Sequence, residues 1–214
     1  MQRIYELIAT GGIVMVPLLV FSIAVIALAI ERALFWRRAR KQQKRVVRSV
    51  LQLYQDDLAL TEATLQKHLH LPIARVFLEA VSLPNATPDE FRLALDAGTQ
   101  AEIPNLKRFN NIFETIVGLA PLLGLLGTVT GLIRSFGSLT LGDVGSSKTI
   151  GVTAGISEAL VSTAVGLVVA VLALIAANTF RSFYAQQIAY IDECCTQLEL
   201  LQLRSYRRQE VSRV

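Results

Sequence analysis

Among the side chains that bring oxygen chemistry into stretches otherwise nearly free of charge are Thr128, Glu158, Ser162 and Thr163. A carboxyl group takes up and releases protons, whereas a hydroxyl donates and accepts hydrogen bonds without holding a charge. A hydroxyl also costs far less than a charge in lipid. Threonine and serine can therefore bring polar groups into such a stretch without bringing a charge. Glu158 and Ser162 are four residues apart and share a helix face, which Gly166 and Ala170 continue as a stripe of small residues. Thr163 lies on an adjacent small face. A carboxyl in a bilayer costs several kcal/mol unless it meets protein or water. Glu158 thus has two readings, which composition leaves even. It belongs to a proton or ion path, or it pairs with Arg134 near the same end of the preceding span.

The other chemistry-bearing residues read more plainly. Cys194 and Cys195 are adjacent, a strained arrangement for a disulfide, and read as reduced thiols in a polar segment. His68 and His70 lie in a polar stretch without cysteine partners and read as loop residues rather than ligands. There is no P-loop, dinucleotide fingerprint or nucleophile elbow. The expectation is a protein that is not an enzyme, with no catalytic residues, no metal and no cofactor.

The elements that must position these residues follow from the distribution of charge. The chain of 214 residues is 52% hydrophobic and 18% charged, with mean hydropathy +0.47; a soluble domain carries about 25% charged residues. The charges form blocks between three apolar runs. Leu7 to Ile30 is 24 residues without a charge; about 20 suffice to span a bilayer. Ala27-Leu28-Ala29 mimics a signal-peptide cleavage site, but the apolar core is too long for one. Pro17 predicts a kink in this first span. The second run, Thr115 to Ile133, is 19 residues and extends toward Phe136 past Arg134. The third, Ile150 to Phe180, is 31 residues with Glu158 as its single charge.

The expected fold class is an all-α membrane protein with three transmembrane helices and long cytoplasmic helical extensions. Its parts are an N-terminal region with the first span (1–31), a cytoplasmic helical loop domain (32–113), the second span (114–137), a short periplasmic loop (138–149), the third span (150–180) and a cytoplasmic C-terminal helix (181–214). Eight basic residues between Arg32 and Arg48 follow the first span, and only Arg3 precedes it. Positive residues stay on the cytoplasmic side, which puts the N-terminus outside and the C-terminus inside. Phe35 and Trp36 fit an interfacial aromatic belt. Within the loop domain, Thr87-Pro88-Asp89-Glu90 predicts a capping box, opening a helix that reaches about Ile103, where Pro104 interrupts it.

The second span also carries Gly124, Gly127 and Gly131, and the third carries Gly166. Small residues at this spacing let helix backbones approach closely in lipid, and the expectation is that copies of the chain meet through these faces. The strings Ala120-Pro-Leu-Leu-Gly-Leu-Leu-Gly-Thr-Val-Thr-Gly131 and Ile156-Ser-Glu-Ala-Leu-Val-Ser-Thr-Ala-Val-Gly166 resemble the MotA/TolQ/ExbB proton channel family, its ExbB and TolQ branches most. The sharp match covers roughly 115–180, and the rest matches by layout. The resemblance implies a homopentamer in the cell inner membrane around single-span partners of the ExbD/TolR type, each with an intramembrane aspartate. It implies a lining that includes Thr128 and Thr163, with Glu158 as the third-span glutamate and Ser162 beside it. It implies work delivered to a TonB- or TolA-like protein, and no nucleic-acid partner. Many relatives carry proline in the third span, where this chain has Val171-Leu172-Ala173; a straighter inner half is expected. The alternative reading is a structural membrane scaffold whose polar residues serve helix packing only.

Overall fold

The computed structural model describes the backbone of residues 12–137 and 146–213, and the side chains of 12–37, 42–137 and 152–208. Among these residues the regular elements are all helices: α1 (Met15–Asp56), α2 (Leu58–Gln66), α3 (Pro72–Val81), α4 (Pro88–Leu106), α5 (Asn110–Gly137) and α6 (Ser146–Arg213). Three helical stretches, in α1, in α4 running into α5, and in α6, are long and apolar enough to cross a membrane. The protein is an all-α membrane protein.

The helix ends follow from local chemistry, and two of them differ from expectation. Gly12 has φ +69°, and the Met15 N–H bonds to its carbonyl at 3.1 Å. Pro17 therefore stands in the first turn of α1, where a backbone N–H lacks an intrahelical partner in any case. The helix begins around Pro17 instead of kinking there; Leu7 to Gly11, assigned to the same span, lie outside the described residues. At the other correction, α4 runs through Pro104 to Leu106. The ring removes one donor in the last turn, but the Lys107 N–H resumes the ladder on the Ile103 carbonyl at 2.9 Å. The helix ends at Leu106, and the turn that follows holds Phe109, whose φ of 69° is a backbone conformation that side chains with a Cβ rarely adopt. The start of α4 is the capping box expected: Thr87 Oγ1 accepts from the Glu90 N–H, and Glu90 Oε2 accepts from the Thr87 N–H at 2.8 Å. α6 opens at Ser146, a turn before Ile150, and continues without a break to Arg213.

The chain divides into two compact units: Met1–Glu31 with Phe109–Phe180, and Arg32–Arg108 with Arg181–Val214. In the second unit, Gly98 of α4 approaches α3 so closely that a Cβ would lie 3.1 Å from the Val76 Cα. A guanidinium–carboxylate fork, Arg75 on Glu102 with two 2.5 Å bonds, ties the same helices together. Phe77, Phe91, Leu95, Ile191 and Leu198 fill the core. Tyr54 packs on Phe91 and donates to Gln202. Cys194 is buried and Cys195 half-buried; burial pushes the Cys195 thiol up to about 12, so both remain thiols. His68 and His70 lie in the turn between α2 and α3. Trp36, expected at an aromatic belt, is 3% exposed and packs against Phe183 within its own chain.

Candidate functional site

In the first unit, α5 and α6 lie antiparallel and share a seam of small residues. A Cβ at Gly124 would sit 3.1 Å from the Thr163 Cα, one at Gly131 2.7 Å from the Gly155 carbonyl, and one at Gly166 2.7 Å from the Ala120 carbonyl. At Gly127 a Cβ would collide with the Ser162 hydroxyl. A Cβ would overlap its neighbours at Gly127, Gly131 and Gly166, and at Gly124 it would press on the α6 backbone. The small faces expected to join separate copies meet each other inside one chain.

Polar groups close this seam at three levels. Ser162 is fully buried, and its hydroxyl donates to the Ala159 carbonyl at 2.9 Å while filling the notch at Gly127. Thr163 Oγ1 crosses to α5 and donates to the Gly124 carbonyl at 2.9 Å. Ser135 Oγ reaches the carbonyls of Gly131 in its own helix and Val152 in α6, both at 3.1 Å. Ser135 went unremarked in the sequence, although it continues the stripe Gly124, Gly127, Gly131 by one more turn.

The two flanks of the seam carry different chemistry. On one, Arg134 Nη1 donates to Glu158 Oε1 at 2.6 Å. The Arg134 side chain is 56% exposed and that of Glu158 14%. The start of α1 covers this flank. The Glu158 carboxyl lies so close to Gly12 that no Cβ fits there, and Val14 reaches toward Gly127. These α1 contacts had no signal in the sequence, because they join residues more than 100 positions apart. On the other flank lie the threonines. Glu158 and Thr163 are five residues apart, which at about 100° per residue sets them about 140° apart around α6. Arg134 and Thr128, six apart, are likewise about 120° apart around α5. In an antiparallel pair whose one flank joins Arg134 to Glu158, the opposite flank holds Thr128 and Thr163 together. The Thr128 hydroxyl donates to its own helix at Leu125, and Thr128 and Thr163 are both half-buried. Around them the flank is apolar and exposed, with Leu125, Leu132, Leu160 and Leu167.

Of the four residues read as lining, then, the structure brings Thr128 and Thr163 to one face. It sets Ser162 inside the seam and Glu158 on the far side, paired with Arg134. Each threonine donates its single proton to a carbonyl and keeps lone pairs that accept from water or a protonated carboxyl. Such a face offers hydrogen-bond acceptors without carrying a charge. Among the described residues, no group of three or more His, Cys, Asp or Glu side chains is placed to hold a metal ion.

The profile of the MotA/TolQ/ExbB proton channel family matches residues 59–193. The chain is 54% identical over 200 residues to the ExbB-like 3 protein of Synechocystis sp., named as a biopolymer transport protein; the match covers 94% of this chain and 95% of that one. It is 41% identical to the ExbB-like 1 protein of the same organism, over 93% of this chain and 79% of that one. It is 35% identical to the biopolymer transport protein ExbB of Salmonella typhimurium, over 45% of this chain and 39% of that one. On the family profile and on the full-length similarity, this chain belongs to the MotA/TolQ/ExbB proton channel family.

Proposed function

We propose that the protein is the channel subunit of an inner-membrane motor that uses the proton gradient to drive biopolymer transport at the cell envelope. The observation that carries this reading is the pairing of Thr128 and Thr163 on one exposed apolar flank of the α5–α6 seam, away from the Arg134–Glu158 ion pair. In a homopentamer this flank faces the lumen and meets a single-span partner of the ExbD/TolR type. The partner's aspartate supplies the titrating group, and the two hydroxyls supply acceptors at neighbouring levels. Ser162 and the glycines hold α5 and α6 in register, and Glu158 with Arg134 holds α1 against them. A TonB- or TolA-like protein receives the work.

The Thr163 bond to the Gly124 carbonyl favours a second reading, a scaffold in which this hydroxyl serves packing alone. Replacing both threonines by valine keeps their shape and removes both hydroxyls. The double variant is expected to assemble with its partner and to lose proton-driven transport. Single variants are expected to combine non-additively, as coupled groups do. Normal transport by the assembled double variant would establish the scaffold reading instead.

A further inference from the structure

An open-sided cavity of about 900 Å³ lies in the second unit, between the part of α1 that follows its apolar run and the part of α6 that follows its own. Trp36 and Arg37 stand six and seven residues beyond Ile30, and Phe183 stands three beyond Phe180. Along a helix these are distances of about 5 to 10 Å past the last apolar residue, the level of lipid headgroups. The walls divide by chemistry. Trp36, Phe183 and Tyr190 give an aromatic side, and Arg37 and Lys44 give a cationic one. The buried bond from Gln187 to Gln43, 2.8 Å, joins the two helices beside the cavity. No carboxylate lines it among the described residues. A second cavity of about 600 Å³ shares Lys44 and Tyr190 and adds Arg48 and Arg204, so the groove runs on with the same sign of charge.

Trp36 supplies an independent observation. It is 3% exposed, and its indole N–H meets no acceptor among the described residues. A buried donor without an acceptor is uncommon in folded proteins. An indole beside Arg37 at headgroup level, with Lys44 two turns beyond it, matches the part of a phospholipid where phosphate and ester oxygens adjoin the acyl chains.

We propose that this groove binds an anionic phospholipid, with its phosphate between Arg37 and Lys44 and its ester region against Trp36 and Phe183. The aromatic wall receives the upper acyl segments, and the basic run through Arg48 and Arg204 draws negative headgroups toward the site. The inference requires only that the protein sits in a membrane, and it stands or falls separately from the proton-channel reading.

Trp36 is the single tryptophan of the chain, so its fluorescence reports occupancy directly. The full-length protein is reconstituted in phosphatidylcholine bilayers containing increasing fractions of phosphatidylglycerol brominated near the glycerol. Brominated phosphatidylcholine is the control. Half-maximal quenching is expected at a roughly tenfold lower fraction of the anionic lipid, the order of preference that two interfacial cations provide. The double variant R37Q/K44Q is expected to lose that preference while keeping its helical circular dichroism. Equal quenching by the two lipids in the unaltered protein would overturn the proposal, whatever the variant does. So would a preference that survives in the folded variant. Loss of the preference on adding excess inorganic phosphate would assign the site to the free anion instead. Absence of quenching by either lipid, with cross-links from positions 37 and 44 to a second protein, would assign the groove to that protein.

Discussion

At the scale of single residues, the most informative contact is the ion pair of Arg134 and Glu158. Both readings of Glu158 drawn from composition were live because a lone intramembrane carboxyl demands some partner. The spacing along α6 could not say whether that partner was a side chain of α5 or a wet lumen. The structure supplies a 2.6 Å bond to Arg134 and packs Gly12 against the carboxyl. The exchange R134E/E158R tests what this pair does. If its role is to hold α1 against the seam, each single charge reversal is expected to reduce the amount of assembled protein several-fold, and the exchange to recover both assembly and transport. An exchanged protein that assembles but does not transport would show that Glu158 acts on the proton itself. Thr128 and Thr163 were legible as candidates from the family resemblance. Their separation from Glu158 was not. It depends on which flank of α6 faces α1, and nothing local in the sequence encodes that choice.

At the scale of elements, the helices were easier to read than their ends. Three apolar runs, a capping box at Thr87 and the absence of proline from the third span give α4, α5 and α6 nearly as they are. Pro17 and Pro104 misled, because the cost of proline depends on its position in the helix. Pro17 falls in a first turn that needs no donor, and the ladder resumes beyond Pro104. The glycine stripe was legible as a close-packing surface, but its partner was not, since like stripes serve equally for contacts within and between chains. That distinction makes a sharp test. Gly127→Ala drives a Cβ into the Ser162 hydroxyl, and overpacking of this kind costs about 1–3 kcal/mol. The second change Ser162→Gly removes the obstructing side chain, and the double variant is expected to regain most of the lost thermal stability in detergent. Gly131→Ala meets the Gly155 backbone carbonyl, so truncating a neighbouring side chain is not expected to rescue it. If G127A/S162G melts as low as G127A alone, Ser162 is not what makes Gly127 necessary.

At the scale of the whole molecule, large apolar side chains remain exposed on every face of the spans that the chain does not cover itself, from Ile13 and Val16 through Leu122 and Ile133 to Leu160 and Ile175. Exposed apolar surface of this extent requires lipid or further subunits. The eight basic residues after the first apolar run give the orientation to expect. Single cysteines at 50 and 143, in a background lacking Cys194 and Cys195, are expected to react with impermeant maleimide from the cytoplasmic and the outer side respectively. Labelling of position 143 from the cytoplasm would reverse the orientation. The seam of α5 and α6 has a further consequence. Its notches at Gly124, Gly127 and Gly131 recur every three or four residues, close to one helical turn. A slide of about 5.4 Å would lift Ser162 out of the notch at Gly127 and seat it in that at Gly124 or Gly131. Such slides would index the pair like a ratchet wheel, with discrete stops one turn apart, and the Arg134–Glu158 and Thr163–Gly124 bonds would be the pawl that selects the present tooth. Disulfide trapping of a cysteine at 162 with cysteines at 124, 127 and 131 counts the teeth in use. Trapping at 127 alone, with and without a proton gradient, would mean the wheel never turns.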